Sequence, residues 1–230
     1  MSYNVEKGAI TLIKAVIFDF DGLIIDTETI WYESFREIMK QEHQHELSIE
    51  DYSACIGTSS SVLYEFLQQA VPEMEEERMK ELTNASYMEK ATRPELRPGV
   101  LAYLEAAKKN GLKIGLASSS GRDWVVGYLK QLDIFSYFET IVTRDDVEKV
   151  KPDPALYIKA LQNLGKKGEE AIAFEDSLHG SHAAMAAGIH CIVVPNPVTS
   201  HMDFKDYHLR LSSMEEKELE AILEDFDVVK

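Results

Sequence analysis

Basic residues are scarce in this chain. Lys and Arg number 24 against 40 Asp and Glu in 230 residues, a formal net charge of -16. That balance argues against nucleic acid as a partner, because phosphate backbones are gripped mainly by Lys and Arg. It leaves room for a small anionic ligand, since a local site can be positive on an acidic protein. Cysteine is rarer still. Cys55 and Cys191 stand far apart among apolar or small neighbours, which reads as two buried free thiols rather than a disulfide. Long apolar runs are missing too, none approaching the ~18 residues that span a bilayer. The opening "MSYNVEKGAITLIKAVIF" lacks the basic head and apolar core of a signal peptide. The expectation is a cytoplasmic protein without a membrane partner. At 45% apolar residues, the composition supports a real core and shows no sign of disorder.

Short β-type runs alternate with helical patterns along most of the chain. "KAVIF" (14–18), "LKIGLA" (112–117), "TIVT" (140–143), "AIAF" (171–174) and "HCIVV" (190–194) read as strands. Several are apolar at nearly every position, as in a parallel sheet covered on both faces. The segments between them carry helical spacing and mostly end at Gly. This alternation predicts a doubly wound α/β sheet. One region breaks the rhythm. Between Thr29 and Ala91 no strand is convincing, and "WYESFREIMKQ", "SSVLYEFLQQAV" and "EEERMKELTNASYMEKA" are amphipathic or charge-rich helices. The predicted organisation is a core of residues 1–25 and 95–230 with a small helical domain, 26–94, inserted after the first strand. Linkers fall near Leu23–Asp26 and Thr92–Pro98, the second marked by Pro94 and Pro98. Residues 212–226 read as one capped amphipathic helix packed on the sheet edge.

The chemistry-bearing residues gather at strand ends, where open parallel sheets bind ligands. "FDFDG" ends the first strand with Asp19 and Asp21, and Gly22 then lets the chain turn. Alone, this pair reads equally well as ordinary turn aspartates. "ASSSG" follows the second strand, setting Ser118, Ser119 and Ser120 before a helix start, a ready anion site or a plain serine cap. Lys151 follows the third strand just before Pro152 at a helix start, and Glu175 with Asp176 follow the fourth. Each piece has a bland explanation as a cap, a dipole complement or a surface charge. Together they deliver carboxylates, hydroxyls, amides and an ammonium to one edge of one sheet. Acids with donors beside them fit a hard divalent cation, Mg2+, bridging protein oxygens to a phosphate. The cation also resolves the repulsion of crowded carboxylates.

These four motifs, "DFDG", "ASSS", "KPDP" and "ED", stand in the order of the haloacid dehalogenase superfamily of aspartate-nucleophile phosphotransferases, which the sequence resembles from about Lys14 to Pro195. The insertion after the first motif, with "FDFDGLIIDTE", "VKPDPALY" and "FEDSLHGSHAAMAAG", resembles the subgroup of phosphoglycolate-type phosphatases and β-phosphoglucomutase. The resemblance implies a Rossmann-like core with a helical cap. It implies Asp19 as nucleophile and Asp21 as proton carrier, with Ser118, the Ser119 amide and Lys151 on the phosphoryl oxygens. It implies Mg2+ held by Asp19, the Asp21 carbonyl and Asp176, with Glu175 near or in the shell. Asp26 is then a supporting residue at the hinge.

The same resemblance separates two activities. A mutase carries a His, an Arg and a Lys on its cap, and those positions fall here on Trp31, the loop "IGTSSS" (56–61) and "LTNAS" (82–86), none basic. A second phosphate needs such cations, so the expectation is a Mg2+-dependent phosphatase acting on a small phosphorylated metabolite. A phosphosugar mutase is the alternative, and a silent binding module is a third reading from a different class. Trp31 reads as cap core before substrate contact, His179 and His182 as surface residues rather than a metal pair, and His43 and His45 as solvated. Nothing in the C-terminal helix calls for more than a monomer.

Overall fold

In a computed structural model, residues 12–57, 60–205 and 207–226 are described. The first eleven residues, part of the opening read above for a leader, lie outside them, as do Thr58 and Ser59 of the cap loop. Strand β1 (Ala15–Phe18) is followed by four helices, α1 (Thr27–His43), α2 (Ile49–Ser53), α3 (Ser60–Ala70) and α4 (Glu76–Lys90). The chain then alternates through α5 (Val100–Lys109), β2 (Lys113–Ala117), α6 (Arg122–Gln131), β3 (Thr140–Val142), α7 (Ala155–Leu164), β4 (Ala171–Glu175), α8 (Leu178–Ala186) and β5 (His190–Val193). It ends with β6 (Leu209–Arg210) and α9 (Leu219–Phe226). The strands form one sheet in the order β3-β2-β1-β4-β5-β6, every pairing parallel. This is the doubly wound α/β arrangement the alternation predicts.

The period-two pleat of fully buried strands divides the core into two. Val16, Phe18, Ile172 and Phe174 face one layer with α5, α6 and α9, where Phe18 stacks on Phe174. Ala15, Ile17, Ala171 and Ala173 face the other, packed against α7 and α8. The second face is small on purpose of fit: alanines on the strands and Ala183 and Ala184 on α8 let helix and sheet approach closely. Helices α1–α4 bury a separate cluster, including Phe35, Met39, Tyr52, Leu67 and Met79.

The chain crosses between core and cap twice, side by side. Gly22 N–H donates to the Ile25 carbonyl (2.8 Å), Ile24 N–H to Phe20 (2.9 Å), and Arg97 N–H to Ile24 (2.9 Å). Asp26 caps α1, accepting from the amide (3.1 Å) and hydroxyl (2.9 Å) of Thr29.

Two details depart from the expectations. The short helix α2 and strand β6 carry too few residues to show a period. The C-terminal helix begins at Leu219 rather than Ser212, because Glu216 accepts from both the amide and hydroxyl of Ser212 (2.6 Å each) and closes a local turn first. That helix packs on α5 and, as expected, reaches the β5–β6 edge of the sheet, where Phe226 lies against His190 (5.0 Å between ring centres) and His208 (5.9 Å). The two cysteines form no disulfide; Cys191 is buried and Cys55 half-buried. Among the described residues no helix is long and apolar enough to cross a membrane.

Candidate active site

Strand register builds the site. Phe18 pairs with Phe174 across β1 and β4, so the next residues, Asp19 and Glu175, lie side by side on the face that Ile17 and Ala173 share. Asp19 is fixed there by its own N–H, which donates to the Phe174 carbonyl (3.0 Å). Lys151, almost fully buried after β3, inserts its ammonium between the two carboxylates. It donates to Asp19 Oδ1 and lies 2.6 Å from Glu175 Oε1. Glu175 also accepts from the Tyr157 hydroxyl (2.5 Å) and, at 3.4 Å, from Ser177. Asp176 accepts from the Asn196 amide at 2.6 Å.

Small residues make this crowding possible. Gly22 has φ +76°, and a Cβ there would sit 2.3 Å from Asp176 Oδ2 and 2.5 Å from Asn196 Nδ2. Gly180, in α8, lies against Glu175, where a Cβ would meet Oε2 at 1.9 Å.

Asp21 stands apart from the buried cluster, half-buried at the cavity side of the turn. Its Oδ1 accepts from the Thr27 hydroxyl (2.9 Å) and the Trp124 indole N–H (2.9 Å), and its Oδ2 accepts from the Ser120 hydroxyl (2.6 Å). Three donors from the hinge, the loop after β2 and helix α6 hold one carboxylate in one orientation. In that same loop, Ser118 is buried and its hydroxyl accepts from the Ser120 amide (3.0 Å), while the Ser119 hydroxyl donates to the Gly57 carbonyl of the cap (3.0 Å).

The electrostatics are those of acids short of positive charge. Burial pushes the Asp19 carboxyl up to about 7, with the Glu175 and Asp21 charges adding to it and Lys151 opposing. Asp176 is raised well above its usual range by burial first and by Asp19 and Glu175 next. Burial alone would lower Lys151, but the two carboxylates against it hold it above the ordinary lysine value. The Lys151 ammonium meets Asp19 and Glu175, and the Arg97 charge only partly offsets Asp176; these three buried carboxyls can present oxygens within 4.8 Å of one another. Hard oxygen donors at that spacing suit a divalent cation. No histidine belongs to the group.

A cavity of about 720 Å³ lies between cap and core; Asp21, Ser119 and Ser120 line it, while Asp19, Lys151, Glu175 and Asp176 lie behind its wall. Trp31 stacks on Tyr87 (4.1 Å between ring centres) and leans on Trp124 of the core (6.2 Å), so it both packs the cap and lines the cavity. Glu28, from the first turn of α1, also faces it, its carboxyl raised to about 8 by burial and then by the Asp21 charge.

The structure brings Asp19, Lys151, Glu175 and Asp176 together and sets Asp21, Ser118 and Ser119 at the neighbouring strand ends. His179 reaches the Ala54 carbonyl instead (3.2 Å), and His182 is exposed on α8. Sequence reasoning placed Ser120 in the anion loop but not on Asp21; it missed Thr27 and Trp124 around Asp21, Tyr157 behind Glu175, and Asn196 on Asp176. A polar residue between two prolines directly after the fifth strand, "PNP", was the available signal for Asn196. It also missed Lys80. The window 82–86 holds no cation, yet Lys80 lines the cavity just before it, engaged by Glu76 (2.7 Å) and Glu77 (2.8 Å).

Comparison with known proteins gives the family. The family model described as haloacid dehalogenase-like hydrolase matches residues 16–194. A Bacillus subtilis (strain 168) protein with the name "Putative phosphatase YhcW" is 48% identical over 93% of this chain and 97% of its own length. The "Phosphorylated carbohydrates phosphatase" of Thermotoga maritima is 31% identical over 76% of this chain and 82% of its own. Among solved structures, CbbY from Rhodobacter sphaeroides in complex with phosphate superposes with a TM-score of 0.72 at 26% identity, covering 89% of this chain and 96% of that one. With its motifs, sheet order and site alike, the chain belongs to the haloacid dehalogenase-like hydrolase family.

Proposed function

We propose that this protein is a Mg2+-dependent phosphatase that hydrolyses a small phosphorylated metabolite, a sugar phosphate or similar phosphomonoester, through an aspartyl-phosphate on Asp19. The observation that carries the reading is the pairing of two differently held aspartates at one strand end. Asp19 is buried on Lys151, and Asp21 is turned toward the cavity on three donors. Hydrolysis in two steps needs a nucleophile and a separate proton carrier, and phosphatase names among the relatives support the same class.

In the first step an Asp19 oxygen attacks phosphorus as the bond to the leaving oxygen breaks, and Asp21 gives that oxygen its proton. In the second, Asp21 takes a proton from the water that attacks the acyl phosphate, and Asp19 is released with inorganic phosphate. Lys151, the Ser118 hydroxyl and the Ser119 amide hold the phosphoryl oxygens, which is where most stabilisation of a phosphoryl-transfer transition state is made. The oxygens of Glu175 are already met by Lys151, Tyr157 and Ser177, so we assign it to anchoring Lys151. Asp19, Asp176 and the Asp21 carbonyl are the groups to hold Mg2+. When bound there, Mg2+ supplies the positive charge the buried carboxyls lack and neutralises the phosphoryl oxygens. The cap, 26–94, closes the cavity against water through contacts such as Ser119 to Gly57.

Lys80 in the cap wall favours one second reading, a phosphosugar mutase, since it could meet a second phosphate. Its two glutamate partners weaken that reading. Phosphate release from an aryl phosphate decides between them. The phosphatase reading expects release that EDTA stops, Mg2+ restores and Asp19→Asn abolishes. Sugar-phosphate interconversion faster than release supports the mutase.

A further inference from the structure

The cavity holds one polar pair that the mechanism leaves unused. Tyr52 of α2 is 4% exposed, is packed against the rings of Tyr32 (5.4 Å) and Phe35 (6.0 Å), and donates its hydroxyl to Glu28 Oε2 at 3.1 Å. Ring packing fixes the donor, and the donor fixes the carboxyl. Tyr52 takes one oxygen of the carboxyl, and Glu28 lines the cavity. Asp21, Ser119 and Ser120 line the same space.

We propose that Glu28, set by Tyr52, reads the organic half of the substrate, accepting a hydroxyl of a neutral sugar or sugar-alcohol phosphate and rejecting a carboxylate or second phosphate at that place. The proposal rests on the phosphatase reading above and adds the residue that sets its specificity.

The chemistry of the wall supports a neutral, hydroxylated body. A hydroxyl both donates and accepts, so it satisfies Glu28 in either protonation state. An anionic group can only accept, and it would face the Glu28 and Asp21 carboxyls together. The cations in the wall do not offset this, because each already has a carboxylate. Lys80 has Glu76 and Glu77, Arg122 has Asp146 (2.6 Å), and Arg144 has Asp145 at 3.8 Å. Aromatic rings also line the wall, those of Trp31, Phe35, Tyr64 and Trp124. Such rings offer apolar faces to the C–H side of a polyol.

The test compares kcat/KM, with Mg2+ present, for sorbitol 6-phosphate, phosphoglycolate and p-nitrophenyl phosphate. We expect the wild type to prefer the sugar-alcohol phosphate over phosphoglycolate by roughly tenfold or more. Glu28→Ala should lower the ratio of sorbitol 6-phosphate to p-nitrophenyl phosphate by about tenfold. Glu28→Gln keeps a hydroxyl partner but removes the acid. It should hold that ratio within about threefold while raising phosphoglycolate relative to sorbitol 6-phosphate by about tenfold. Tyr52→Phe keeps the ring and frees the carboxyl, so it should fall between wild type and Glu28→Ala. A wild-type preference for phosphoglycolate, or ratios unchanged across the variants while the aryl phosphate is still hydrolysed, overturns this proposal alone. Release from none of the three overturns the phosphatase reading and this proposal with it.

Discussion

Replacing Gly180 by alanine sets two effects of opposite sign against each other. Within helix α8, alanine gains about 1 kcal/mol of intrinsic propensity over glycine. The new Cβ, however, would lie 1.9 Å from Glu175 Oε2, 2.1 Å from its Cδ and 2.2 Å from Oε1. Relieving that overlap requires a movement of about 1 Å or more, since Cβ contacts under 3.0 Å essentially never occur. The group that must move has no exposure and is held by Tyr157 at 2.5 Å and Lys151 at 2.6 Å. Breaking a buried charge pair outright costs about 3–5 kcal/mol. A displaced pair should lose most of that, leaving Gly180→Ala destabilised by roughly 2–3 kcal/mol after the helical gain. Urea unfolding measures this directly. The displacement should also reach chemistry, because Glu175 positions Lys151 and Lys151 touches Asp19, so kcat should fall by about tenfold or more. Equal or higher stability would refute the packing argument. Lost stability with wild-type kcat would refute the claim that Glu175 positions the lysine.

Trp124→Phe keeps the ring between the cap and core aromatics but removes one donor from Asp21. A hydrogen bond to a charged group contributes ~1.5–3 kcal/mol, so kcat should fall by about tenfold or more with a smaller change in KM. Unchanged kcat in steady-state assays would rule out the indole as an orienting group. Asn196→Ala removes the donor on Asp176 and should weaken Mg2+ binding by about 10–100-fold in a calorimetric titration. Wild-type affinity would remove Asp176 from the ligand set as oriented here. Glu28 makes a signed pH prediction for metal-free protein. Its folded value of about 8 lies above the ordinary 4.5, so the folded state keeps a proton that the unfolded chain loses. The stability it contributes is full below pH 4.5 and is lost as pH rises through about 8. Glu28→Gln should therefore gain on wild type across that window, by on the order of 2 kcal/mol once water in the cavity is allowed for. Thermal unfolding from pH 5 to 9 checks this, and a difference independent of pH would contradict it.

How much of this could be read from the residues depended on distance along the chain. The strands of the core declared themselves because burial on both faces leaves four apolar residues in a row, as in "AVIF" and the "AIAF" that opens β4. The cap helices showed through their 3.6-residue period, whereas the five residues of α2 and the two of β6 were too short for any period to appear. At the site, Asp19, Lys151 and Asp176 were legible because a strand end is a sequence address, and the parallel topology carries all such ends to one edge. Partners such as Trp124 and Asn196 were not, because they meet the aspartates from 103 and 20 residues away through helix and loop packing. Trp31 had two readings, core and cavity wall, and the fold gives it both places at once. The short cap-wall cations were hidden for another reason. Whether Lys80 is a free charge depends on Glu76 and Glu77, one helical turn away, which a search for a basic residue does not weigh.

The central claim is that the phosphoryl group passes through Asp19. Rapid acid quench during turnover of an aryl phosphate with Mg2+, followed by mass spectrometry of the peptide that contains Asp19, tests it most directly. The account predicts one phosphoryl group on Asp19 in the wild type and none in Asp19→Asn, which should release no phosphate. Phosphate release by Asp19→Asn at the wild-type rate, or turnover with the label on a different residue, would contradict it.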